Sequence, residues 1–153
     1  MKKALKLGVF HLESLQSLVL QEDQEFIEIF LEHLNFKSGH YETIECLLSL
    51  AIVLTSFEEE DEEVVATKLI DKGLLKIMAE MLLREEYQKF HPKVCAILCN
   101  IACDTEENRL RLIESEAFQL AIGMGIQDDL ILRWNVIGLI VNIIINGSSR
   151  SAV

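Results

Sequence analysis

The stretch "HPKVCAILCNIACD", residues 91–104, places His91, Cys95, Cys99 and Cys103 at intervals of four. Imidazole and thiolate are ligands that zinc favours, and a thiolate is also a nucleophile and a redox centre. The same spacing, with apolar residues between, is that of a helix, and helix geometry tests the metal reading. At about 1.5 Å rise per residue, Cys95 and Cys103 start about 12 Å apart, whereas zinc holds each sulfur at ~2.3 Å. One ion would reach only two neighbouring thiols at a time. Each four-residue step also turns the side chain by about 40°. Cys95 therefore borders a stripe of Val94, Leu98, Ile101 and Ala102, and Cys103 points away. His91, just before Pro92, is placed outside the helix. The expectation is a row of packed thiols with no metal and no cofactor, Cys99 and Cys103 being better placed for redox chemistry than Cys95.

Other candidates for chemistry fail on pattern. His11, His33, His40 and His91 are scattered, and none has a second His at helical spacing. "GMG" at 123–125 lacks the third glycine and preceding strand of a dinucleotide site, and no Gly-Lys-Ser/Thr phosphate loop occurs. The run Glu58, Glu59, Glu60, Asp61, Glu62, Glu63 lacks the glycine and ligand spacing of a calcium loop. The chain is expected not to be an enzyme.

That acidic run holds six of 25 acids, set against 14 Lys and Arg in a net charge of −11. An acidic body repels phosphate backbones, which excludes general nucleic-acid binding. The run either keeps the protein soluble or meets a basic protein partner. Four cysteines without framework spacing read as free thiols of a reducing compartment. The basic N-terminus is interrupted by Glu13 and Gln16 with no cleavage site after it, so it does not read as a signal peptide. The most apolar tract, Leu130 to Ile145, contains Arg133, Asn135 and Asn142 and is shorter than the roughly 20 residues that cross a bilayer. These readings place the protein in the cytoplasm, the nucleus or both, away from membranes.

The elements that position these residues are helices. One Pro and seven Gly in 153 residues leave long uninterrupted stretches. "FIEIFLEHL" offers Phe26, Ile29, Phe30 and Leu34 on one face, and "TIECLLSLAIVL" is apolar on most sides. A short helix ends near Gly73 and another begins just beyond, because Gly tolerates positive φ. Pro92 suits a first helical turn, Asp104 and Glu107 have the spacing of a capping box, and Asp128 or Asp129 caps the last helix. Residues 147–153 read as a flexible tail after a single domain spanning 1–146.

Segments also repeat. "LIDKGLL" (69–75) matches "LIESEAF" (112–118) at an offset of 43, and "VCAILCNIAC" (94–103) matches "VIGLIVNIII" (136–145) at 42. A period of ~40–47 residues built of two or three helices marks stacked helical repeats, which bury their faces only on neighbours. The stretch "HPKVCAILCNIACDTEENRLRLIESEAFQLAI" resembles an armadillo repeat, with "ENRLRLIE" its most family-like part and "LIDKGLL" carrying the corner glycine. The likeness spans about residues 43–146, with 9–42 as a degenerate first unit. It implies an all-α, right-handed solenoid of about three repeats, the first and last incomplete.

The resemblance also implies a function: gripping an extended segment of another protein in the groove lined by the third helices. The family's peptide-pairing Asn falls on Asn100 and Asn142, a side chain that both donates and accepts. The alternative for each is a bond within its own solenoid. Nuclear-import adaptors of the family carry Trp four residues before that Asn, where this chain has Ala96 and Gly138. Trp134, eight residues before Asn142, completes the candidate groove but cannot supply such a cage. The unit before has Thr55 in place of Asn, and Glu116 replaces a corner glycine. The expected function is a protein-binding scaffold for an extended segment of a partner, a basic one included. Import-adaptor-like binding of basic signals, or a cochaperone adaptor gripping a heat-shock chaperone domain, are the alternatives. The helix over 130–145 is apolar nearly all round, so self-association or a partner surface is expected there.

Overall fold

The computed structural model describes residues 24–35, 41–56 and 65–148. Among them the chain is all-helical: eight α-helices and one 3₁₀ turn, with no strand. The acidic run Glu58 to Glu63, and residues 149–153 of the expected tail, lie outside the described residues.

Helix α1 (Gln24–Leu34) buries Ile27, Phe30, Leu31 and Leu34, spaced three, one and three apart as an amphipathic helix requires. The expected face is rotated: Ile29 is exposed and Ile27 takes its place in the core. Phe26 is half-buried and stacks on Phe30 at 6.3 Å between ring centres. Helix α2 (Tyr41–Thr55) buries Ile44, Leu48, Ala51, Leu54 and Thr55. Helix α3 (Val65–Asp71) turns into α4 (Leu74–Leu83) at Gly73, whose φ of +102° is the left-handed backbone that glycine adopts without steric penalty.

A 3₁₀ turn over Glu85–Phe90 then feeds directly into α5 (His91–Cys103). His91 belongs to this helix and is only 4% exposed, its Nε2 lying 3.1 Å from the carbonyl of Met81. This corrects its expected place outside the helix. The 3₁₀ turn hands its backbone to α5 without a break, so Pro92 falls inside the first turn and the imidazole swings back onto α4.

Helix α6 (Glu106–Glu114) is capped by Thr105, whose Oγ1 accepts from Asn108 N at 3.2 Å. The expected capping box on Asp104 does not form, because Asp104 ends α5 and its carboxylate accepts the Asn108 side chain at 2.7 Å. One residue, Ser115, then separates α6 from α7 (Glu116–Met124). Its Oγ accepts from Phe118 N at 3.2 Å, so a serine cap in extended backbone replaces the corner glycine here. Asp129 caps α8 (Leu130–Ser148), its Oδ1 accepting from Leu132 N at 2.9 Å. The helix continues through Gly147 to Ser148, into the span read as a tail.

Packing pairs helices about one sequence period apart. α3 lies against α6, α4 against α7, and α5 is flanked by α2 on one side and α8 on the other. The shared interior includes Leu48, Leu69, Leu74, Met78, Phe90, Ile97, Leu98, Ile101, Leu112, Leu132 and Leu139, each less than 2% exposed or nearly so. Burying each such side chain contributes roughly 1.5–3 kcal/mol before the entropy of ordering it.

Candidate protein-binding surface

The long helices α2, α5 and α8 lie side by side, and a line of polar side chains stitches them together. Asn100 on α5 donates Nδ2 to the Ile52 carbonyl of α2 at 3.0 Å and to Thr55 Oγ1 at 3.2 Å. Two turns earlier, Lys93 reaches Ser49 Oγ at 2.9 Å and Glu45 Oε1 at 3.2 Å. On α8, Asn135 donates to the Pro92 carbonyl at 2.9 Å, and Asn146 to that of Ala102 at 3.4 Å. Asn142 donates to the Cys99 carbonyl at 3.3 Å and meets Cys99 Sγ at 3.1 Å. A helix carbonyl already paired within its helix keeps a second lone pair, and a side-chain amide fits it without disturbing the backbone.

Both candidate asparagines thus bond inside the fold through Nδ2, each keeping Oδ1 as an acceptor, and both are partly exposed. Ala96 and Gly138 are half-buried along the same helices. A Cβ added to Gly138 would sit 3.3 Å from Cys99 Sγ, so the missing side chain lets α8 approach α5 closely. Cys99 brings Gly138 and Asn142 together. Trp134 stands apart from this group, 74% exposed on α8. Lys93, Asn135 and Asn146 were not singled out from the sequence. The signal existed for two of them, since Asn135 falls on Lys93 at the repeat offset of 42.

The thiols grade as a helix dictates. Cys95 is fully buried, Cys99 partly so, and Cys46 and Cys103 are exposed. Burial, helped by the neighbouring Cys99, pushes the Cys95 thiol from 9.0 up to about 12. Burial also raises Cys99, Cys103 adds to that, and the Asn142 amide opposes it. Among the described residues, no group of three His, Cys, Asp or Glu is arranged to hold a metal ion.

At the corner between α5 and α6, Arg109 is 8% exposed and donates Nη1 to the carbonyls of Ala102 and Asp104, at 3.4 and 3.3 Å. These carbonyls lie at the end of α5, where a cation meets the negative end of the helix dipole. Asn108 is fully buried and joins Thr67 of α3 at 2.8 Å. Such groups hold the corner between α5 and α6.

Helix α8 is unlike the others. Because it runs on to Ser148, its stretch 130–147 is long and apolar enough to cross a membrane, by length and composition. This corrects the expectation that the tract is too short. Its polar residues are nevertheless engaged: three asparagines with α5, and Arg133 with the Gln127 carbonyl at 3.1 Å and Asp128 at 3.4 Å.

No family model matches the chain, and no curated protein matches it. Among solved structures, the chain is similar to the crystal structure of an engineered protein from the Northeast Structural Genomics Consortium. The two share 19% identity with a TM-score of 0.64 over 76% of this chain, which is a likeness of fold. The match spans 45% of the engineered protein's length.

Proposed function

We propose that the chain is a short, divergent armadillo-like solenoid and serves as a non-catalytic module that binds an extended segment of another protein. The carrying observation is the stitched row α2–α5–α8. Hydrogen bonds in that row join residues 43 to 48 apart in sequence, so each long helix is tied to the one a period before it. Stacking of this kind creates an elongated face rather than a closed cavity, and such faces suit extended ligands. Along it Ala96 presents only a methyl group, and Asn100 and Asn142, whose Nδ2 groups are taken within the fold, offer Oδ1 as acceptors for a partner's backbone N–H. The net charge of −11 favours a basic segment.

Fluorescence anisotropy with a labelled Lys/Arg-rich extended peptide, and an acidic peptide of equal length, tests this reading. The basic peptide is expected to bind, more weakly as salt rises. Replacing Asn100 and Asn142 with Ala is expected to weaken binding about tenfold, under conditions where circular dichroism shows the variant still folded. Equal binding of both peptides, or of neither, would discard the proposal.

A further inference from the structure

On α8, Leu130, Trp134, Ile137, Val141 and Ile144 follow one another at spacings of four, three, four and three. That alternation is the seam along which one helix packs on another. It lies opposite the face that α8 buries through Leu132, Val136 and Leu139, all at 2% or less. Leu130 is 77% exposed, Trp134 74%, Ile137 50%, Val141 42% and Ile144 59%, with Ile131 and Ile140 beside them. Together these side chains expose an apolar patch on the order of 800 Å². That exceeds the ~300–600 Å² of the largest patch on a typical monomer, and its full burial would reach the ~800 Å² per partner of a standard stable interface.

We infer that α8 pairs with the α8 of a second copy of this chain, antiparallel about a two-fold axis near Ile137. The seam carries no charge, so it offers a charged partner nothing to pair with, whereas a second identical seam matches it residue for residue. A two-fold axis makes such an interface self-complementary. The antiparallel arrangement also separates the Asp128 and Asp129 pairs of the two copies by roughly the ~28 Å length of the helix, more than three Debye lengths at physiological salt. A helix lying on a lipid surface would flank its apolar face with several Lys or Arg, but α8 carries only Arg133. To span a bilayer, α8 would have to break the three asparagine bonds that hold it to α5. The pairing does not depend on the peptide-binding reading, which uses the Asn142 side of the helix, about 100° further round from Val141.

Trp134 is the only tryptophan of the chain, so its emission reports the seam directly. Sedimentation equilibrium of the full chain is expected to show a dimer with micromolar Kd, and Trp134 emission should move to shorter wavelength over the same concentrations. Ile137→Glu should raise Kd by roughly 30-fold or more, as loss of a central interface anchor does, with an unchanged helical spectrum. Ile137→Lys should do the same, and mixing the two variants should restore a dimer because the two positions face each other across the axis. A wild-type monomer at all concentrations would overturn the inference. So would an Ile137→Glu variant that dimerises as tightly as wild type, a variant mixture that stays monomeric, or an emission shift that appears only with phosphatidylcholine vesicles.

Discussion

The side-chain amide of Asn100 and the main-chain carbonyl of Ile52, 48 residues apart in sequence, are joined at 3.0 Å. The bond is partly buried and shared with Thr55 Oγ1, itself bonded to the carbonyl of Ala51 at 2.8 Å. Asn100→Ala removes two hydrogen bonds at once and is expected to cost about 1–3 kcal/mol in urea unfolding. Asn100→Asp should cost more, because a carboxylate would then face a carbonyl oxygen. A stability unchanged by either substitution would show that the stitch does not hold α5 to α2.

Gly138 and Cys99 set the spacing of α5 and α8. In a helix interior, Gly→Ala gains about 0.5–1 kcal/mol of intrinsic stability. Here the new Cβ would press on Cys99 Sγ at 3.3 Å and disturb the Asn142 contact. Gly138→Ala alone is therefore expected to be close to neutral. Added to a Cys99→Ala background, where the obstacle is gone, it should stabilise by about 0.5–1 kcal/mol. A double-mutant cycle by thermal denaturation measures the difference; equal effects in both backgrounds would exclude the steric account.

The cysteines should react in order of exposure. In the folded protein at mildly alkaline pH, iodoacetamide is expected to label Cys46 and Cys103 first, then Cys99, and Cys95 only on unfolding. Peptide mapping by mass spectrometry reads the sites, and prompt native labelling of Cys95 would contradict its burial.

The same burial gives a pH dependence. The unfolded chain releases the Cys95 proton near 9.0, while the folded chain holds it to about 12. In that window the unfolded state binds fewer protons, so stability is full below pH 9 and falls as pH rises toward 12. The slope from this group is about 1.4 kcal/mol per pH unit. Other groups titrate in the range, so the measurement is the difference between wild type and Cys95→Ala, whose slope should be shallower. Identical slopes would refute the assignment.

Two helix ends rest on single residues. Thr105→Ala should cost about 1 kcal/mol by removing the α6 cap. Gly73→Ala meets no neighbouring atom within 4 Å, yet its φ of +102° should make it cost about 1–2 kcal/mol. A Gly73→Asn variant should recover part of that loss, since Asn tolerates the left-handed region better than Ala does.

Much of the local structure is written in short stretches of sequence. The helical period, the corner at Gly73, the cap at Asp129 and the ordering of Cys95, Cys99 and Cys103 by burial all depend on residues within a turn or two of each other. The all-helical class follows from the same local chemistry. What the sequence left open depends on how the helices pack, over separations from 10 residues (His91 on Met81) to 48 (Asn100 on Ile52). Whether Ile27 or Ile29 faces the core of α1 is selected by the helices packed on it, α2, α3 and α4. Asp104 and Thr105 both suit a cap, and the end of α5 decides between them by claiming Asp104. His91 reads as a residue before a helix until the carbonyl of Met81 is brought to 3.1 Å from its ring. Asn100 and Asn142 recur visibly at one period, but the sequence cannot say which atoms their amides meet. Only packing α5 against α2, and α8 against α5, decides that, because a side-chain amide bonds to whatever carbonyl the tertiary fold places within about 3 Å.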